Sequence, residues 1–95
     1  MNTEFNFKLF VAGNEPNSSL ARKHIHTICE TYLEGNYQFE EIDVLNNFQA
    51  AIDHGIFVTP TLLIKTPLFE STIVGNLKDT HKVLQTLGVH EKQVT

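Results

Sequence analysis

Hydrophobic and polar positions alternate at the start of the chain. Phe5, Phe7, Leu9 and Val11 are separated by Asn6 and Lys8, the period-two pattern of a strand. Phe10 and Ala12 make the second half apolar on both faces, as in a strand buried inside a sheet. Gly13-Asn14-Glu15-Pro16 ends it. From about Asn17 or Ser18 to Leu33 the period becomes helical, with Ala21, Ile25, Ile28, Cys29 and Tyr32 forming one apolar stripe. Gly35 and Asn36 stop that helix.

Tyr37 to Val44 reads as a second strand whose alternation changes phase between Phe39 and Ile42. Asn46, with Gln49 three residues later, resembles a capping box and opens a short helix carrying Phe48, Ala51 and Ile52. Asp53-His54-Gly55 closes it. Thr61 to Ile64 is a short apolar strand, Lys65-Thr66-Pro67 turns the chain, and Leu68 to Val74 is its hairpin partner. Asn76, with Asp79 at the third position, caps a last helix whose buried face is Thr80, Val83, Leu84 and Leu87. Gly88 ends it, and the final seven residues are expected to fray. The pattern predicts one α/β domain over residues 1–95, with an ordered core over about 4–88 and neither repeat nor linker. The first strand, long helix and second strand form a crossover, and the last two strands pair antiparallel. This β-α-β-α-β-β-α order is that of the three-layer thioredoxin-like fold.

Composition narrows the function. Apolar residues make up 41% and charged ones 19%, a globular balance. Seven basic residues stand against eleven acidic ones, giving a net charge of −4, and only Arg22-Lys23 are adjacent. No concentrated positive field is available to bind nucleic acid. No apolar run approaches the ~20 residues that span a bilayer, so no membrane role is expected. No export signal opens the sequence, and a cytoplasmic location is expected. The lone Cys29 excludes an internal disulfide and suits a reducing compartment. The Asn17-Ser18-Ser19 glycosylation pattern is then a chance match.

Redox chemistry in this fold needs a thiolate in the turn between the first strand and first helix, and a second thiol to resolve it. That turn, Gly13-Asn14-Glu15-Pro16-Asn17-Ser18, holds no sulfur. Cys29 sits about three turns along, on the apolar stripe, where a thiol acts as a small hydrophobe. One glycine makes no phosphate cradle, and Glu15 repels an anion at the helix start. His24 and His26 point about 200° apart on a helix and cannot share a metal ion. Ser18 and Ser19 lack nucleophile-elbow glycines. Glu40, Glu41 and Asp43 read as a solvated strand edge. Pro60 opens a strand, and the base rate for X-Pro bonds makes it trans. No catalytic residue, cofactor or metal is expected.

Leu9-Phe10-Val11-Ala12-Gly13-Asn14-Glu15-Pro16-Asn17-Ser18 closely resembles the first-strand signature of the KaiB family of circadian clock proteins. Ile42-Asp43-Val44-Leu45, Thr59-Pro60-Thr61-Leu62 and Gly75-Asn76-Leu77-Lys78-Asp79 match three later motifs in order, so the resemblance covers about Phe7 to Leu87. It implies a non-enzymatic protein that docks on a KaiC-type ATPase, in timing or stress adaptation. It also implies a metamorphic chain, exchanging between a tetrameric ground state with its own C-terminal topology and a thioredoxin-like monomer that binds KaiC, so a homo-oligomer, dimer or tetramer, is among the expected partners. A related domain begins the histidine kinase SasA, which makes a kinase a second partner class.

The candidate partner-binding or fold-switch residues are Asn14, Pro16, Asn17, Glu40, Gly55, Thr59, Pro60, Gly75, Asn76 and Asp79. The resemblance puts Pro60 at the cis-proline position, and Gly75 and Asp79 in the refolding segment. Asn76 replaces the usual aspartate. Where the family's docking surface is basic, this chain has Leu20, Glu40, Gly55, Ser71 and Thr72, a loss that slows steered association. Two readings compete: a thioredoxin-like redox or glutathione-binding protein using Phe10, Asn14 and Pro60, and a detached sensor domain of a two-component kinase.

Overall fold

The computed structural model describes residues 4–90. Strand β1 spans Phe5–Val11 and helix α1 Pro16–Ile28, prolonged by a π-helical turn over Cys29–Leu33. Strand β2 (Tyr37–Asp43), helix α2 (Phe48–Asp53), strands β3 (Thr61–Lys65) and β4 (Glu70–Val74) and helix α3 (Thr80–Leu87) follow. The strands lie in the order β2-β1-β3-β4. β1 runs parallel to β2 with Phe10 beside Ile42, and antiparallel to β3 with Phe10 beside Thr61. β3 and β4 form the antiparallel hairpin.

The two apolar faces of β1 are explained by two cores. Phe5, Phe7, Leu9 and Val11 point to one side, where Leu62, Ile64 and Ile73 join Ala21, Ile25 and Ile28 of α1 and Val83, Leu84 and Leu87 of α3. Phe10 points the other way and meets Ile42, Leu63, Ala51 and Ile56 in a smaller core under α2. The result is the three-layer, thioredoxin-like arrangement that the element order predicts.

Several boundaries differ from the sequence expectation, each for a local reason. α1 begins at Pro16, not at Asn17 or Ser18, because Glu15 is its N-cap: the carboxylate accepts the main-chain N–H of Asn17 (3.1 Å) and Ser18 (3.0 Å). Pro16 at the first helical position has no N–H to leave unpaired. Asn47, not Asn46, caps α2 by accepting Ala50 N–H at 3.2 Å. Gln49 bonds forward to Asp53, so no capping box closes. α3 is capped by Asp79, which accepts Lys82 N–H, rather than by Asn76. Thr80 is therefore a half-buried first-turn residue and not part of the buried face. β4 starts at Glu70, since Thr66 Oγ1 accepts the N–H groups of Leu68 and Phe69 and folds both into the turn. The Thr59–Pro60 bond is cis, against the trans reading from the base rate and in keeping with the cis-proline position that the resemblance implies. Val89 packs against the large core and donates its N–H to the Leu84 oxygen, so the expected fraying does not begin there; residues 91–95 lie outside those described.

Candidate functional site

The site develops where β1 runs into α1. Gly13 takes φ +54°, a conformation that costs an L side chain strain. A Cβ at this position would also lie 3.3 Å from Leu45 Cδ1. Asp43 Oδ1, at the end of β2, accepts the N–H of Gly13 (3.1 Å) and of Leu45 (3.0 Å). Ser18 Oγ, fully buried, accepts Ala12 N–H at 3.1 Å. Arg22 donates through Nε (2.7 Å) and Nη2 (3.0 Å) to Glu41, locking α1 to β2 beside the turn. The Asp43 and Glu15 carboxylates, the Ser18 hydroxyl and the Arg22 guanidinium, which shape the turn, thus each have a partner inside the protein.

This closure occupies the start of α1 from within. The N–H groups at the start of α1 would attract a thiolate or an anion. Here the Glu15 carboxylate occupies them, and those two N–H bonds hold its pKa below the usual carboxylate value. The Cys29 thiol is buried in the large core. Burial first, and then the Glu30 charge, pushes its pKa up to about 12. A thiol held protonated at neutral pH lacks the thiolate form that nucleophilic and redox chemistry use. Among the described residues no group of three or more His, Cys, Asp or Glu is placed to hold a metal ion. No helix of the described chain is long and apolar enough to cross a membrane.

The candidate residues separate into two sets. The β1–β3 register carries buried Pro60 to the level of Val11, and Gly75 N–H donates to the Pro60 oxygen at 2.9 Å. Thr59 precedes it in the same loop, where Thr61 Oγ1 donates to Val58 O. Asn76 Nδ2 reaches Asn17 Oδ1 at 3.3 Å, and Asn76 Oδ1 accepts Lys78 N–H. Asn14, Pro16, Asn17, Thr59, Pro60, Gly75 and Asn76 thus gather at one end of the sheet, with Asp79 just beyond. Glu40 and Gly55 lie apart: Glu40 is mid-strand in β2, 3.9 Å from Lys8, and Gly55 follows α2 in exposed backbone at φ +70°. β2 is an edge strand as expected, although Glu40, Glu41 and Asp43 each have a protein partner.

The pattern reading passed over one feature of this end of the molecule. Leu45 (73% exposed), Phe48 (66%) and Phe57 (88%), with Ile52 and Val58, leave large apolar side chains in solvent on α2 and its flanking loops. Phe48 and Ile52 are four residues apart and so share one face of α2, while Ala51 alone is buried. That offset is the signal available in the sequence: a six-residue helix has one row to bury, and these two are not in it.

Comparison with known proteins agrees with this geometry. The KaiB domain matches residues 8–89. The circadian clock oscillator protein KaiB of Synechococcus elongatus is 47% identical over 77 residues, covering 81% of this chain and 76% of that protein. That of Microcystis aeruginosa is 46% identical over 87 residues, covering 92% and 84%. In fold, the chain is similar to the N-terminal domain of Synechococcus elongatus SasA (TM-score 0.74, 19% identity, covering 100% of this chain and 92% of that one). It is also similar to Fasciola hepatica thioredoxin (TM-score 0.73, 16% identity, covering 92% and 81%). With a thioredoxin-like scaffold, a turn closed by its own glutamate and a family match over nearly its whole length, the chain belongs to the KaiB family.

Proposed function

We propose that the chain is a non-enzymatic regulator in a circadian timing system, acting as a single domain through protein–protein binding, with a KaiC-type ATPase as its partner. The observation that carries this reading is the α1 entry turn: it holds no sulfur, and Glu15 closes the helix N-terminus from within. A domain with that turn acts by contact. The gathered residues from Asn14 to Asn76, bordered by exposed Leu45, Phe48 and Phe57, form the docking end in this reading.

The family's second topology belongs to the proposal as well. Gly75, Asn76 and Asp79 lie in the segment that would refold, and Leu77 between them is held at φ +63° while buried. A left-handed leucine costs roughly 1–2 kcal/mol, a strain that a different packing releases. Two packings of one sequence need differ by only a few kcal/mol to exchange.

The test is co-elution of the purified chain with the KaiC-type ATPase of its own genome, in ATP and in ADP. A stable complex in one nucleotide state supports the reading. Absence of a complex in both, with capture of a histidine kinase instead, would transfer the role to kinase signalling. For refolding, a second, slowly exchanging set of amide signals from residues 75–79 is expected.

A further inference from the structure

Helix α2 is only six residues long, and it covers the sheet where Phe10 and Leu63 meet Ala51. Side chains two positions apart on a strand share a face. Lys8 on β1 therefore stands on the same face as Phe10, and Lys65 on β3 on the same face as Leu63. With Asn6, Glu70 and His54 at the end of α2, the two lysines and Leu63 line a cavity of about 170 Å³. It lies toward the start of β1, away from the α1 entry turn.

Two positive charges meet here without close neutralisation. Lys8 is directly opposite Leu63, which places Lys65 on its diagonal, at the roughly 7–8 Å of such pairs. Lys8 Nζ is 3.9 Å from Glu40, at the outer limit of an ion pair. Lys65 lies across from Glu70, yet no carboxylate among the described residues comes within ion-pair distance of its Nζ. Like charges in this arrangement repel, and an anion between them relieves both. His54 forms the wall: its Nδ1 lies 2.8 Å from the Ala50 oxygen and its ring packs on Phe10, with centroids 5.5 Å apart. The carbonyl fixes the proton on Nδ1, and Nε2 is the ring's remaining polar atom.

We propose that this cavity is a binding site for a small monocarboxylate. The carboxylate lies between the Lys8 and Lys65 ammonium groups, with the Asn6 amide as a further donor, and a short apolar tail rests on buried Leu63. The volume falls below the roughly 300 Å³ at which sites for drug-sized ligands begin, so the ligand has few heavy atoms. Glu70 sets the charge class. Its carboxylate borders the same cavity and repels a dianion more than a monoanion, which favours a carboxylate over a phosphate.

Sodium propanoate, propanamide and inorganic phosphate are the probes, added to the full chain at constant ionic strength and about pH 8. Propanoate is expected to give saturable shifts in the amide signals of Asn6, Lys8 and Lys65 and in the His54 ring. Propanamide, of the same size and uncharged, should give none, and phosphate should bind more weakly. Lys65→Met keeps the stem and removes the charge at an exposed position; it should weaken propanoate about tenfold while the unfolding curve stays native. Glu70→Gln should strengthen both anions, phosphate more than propanoate. Equal shifts from propanamide, no saturable shift from propanoate, or saturation unchanged in Lys65→Met overturns the site. Phosphate binding as tightly as propanoate to the native chain, or no gain in Glu70→Gln, overturns the monocarboxylate assignment.

Discussion

His24 Nδ1, in the middle of α1, lies 2.7 Å from the main-chain oxygen of Asn76, between β4 and α3. A carbonyl oxygen only accepts, so the ring nitrogen donates and the imidazole carries its proton on Nδ1. With the Asn76–Asn17 contact, this bond ties the segment that holds left-handed Leu77 to the long helix.

Removing that tie should loosen the segment locally. His24→Ala is expected to cost about 1 kcal/mol, one net hydrogen bond at a half-buried site. Urea unfolding measures the loss. Amide exchange should accelerate at 76–79 more than in β1; uniform acceleration would mean that His24 supports the whole fold and not this segment.

The Glu15 cap predicts an acid-side change. Its pKa is lowered in the folded chain by the Asn17 and Ser18 N–H groups. A depressed carboxylate stabilises the fold above its unfolded pKa of about 4.3, and that contribution is lost as pH falls through the lower folded value. The urea midpoint of the native chain should fall across that window, and the fall should be smaller in Glu15→Gln. Identical pH profiles would remove the cap from the stability of α1.

Cys29 predicts the alkaline counterpart. With its thiol pushed up to about 12, the native chain should not react with a thiol reagent at pH 8, and should react once unfolded in urea. A raised folded pKa favours the protonated form, so its contribution is complete below the unfolded value of about 8.5 and is lost as pH rises toward 12. Rapid labelling of the folded protein would contradict the burial on which the non-redox reading rests.

The exposed row on α2 should separate stability from binding. Phe48→Ser and Ile52→Ser should each change stability by about 0.5 kcal/mol or less, since neither side chain leaves a cavity. Leu9→Ala, in the large core, should cost about 2–5 kcal/mol. If partner binding weakens with the first two while their unfolding curves stay native, α2 belongs to the docking end. Unchanged affinity would place docking elsewhere.

The order of elements was legible in the residues because periodicity is a local property of the backbone. Phe5, Phe7, Leu9 and Val11 alternate whatever surrounds them, and Phe10 announced a second core before any partner was known. The empty redox turn was equally plain, since an absent sulfur needs no structure to be noticed. The caps were not. Asn46 and Asn47 are alike in sequence, yet Asn47 is the one that accepts Ala50 N–H, and Asp79, not the expected Asn76, accepts Lys82 N–H. Glu15 is an uncommon cap, and the turn just before it is held by the Gly13 N–H bond to Asp43 from another strand. The isomer at Pro60, the solvent face of Phe48 and the meeting of Lys8 with Lys65 likewise depend on neighbours distant in the chain. Sequence by itself determined the elements, their order and the absence of thiol chemistry at the turn. Tertiary structure decided which polar groups were left to cap or close them, because hydrogen bonds and burial are settled between segments and periodicity within one.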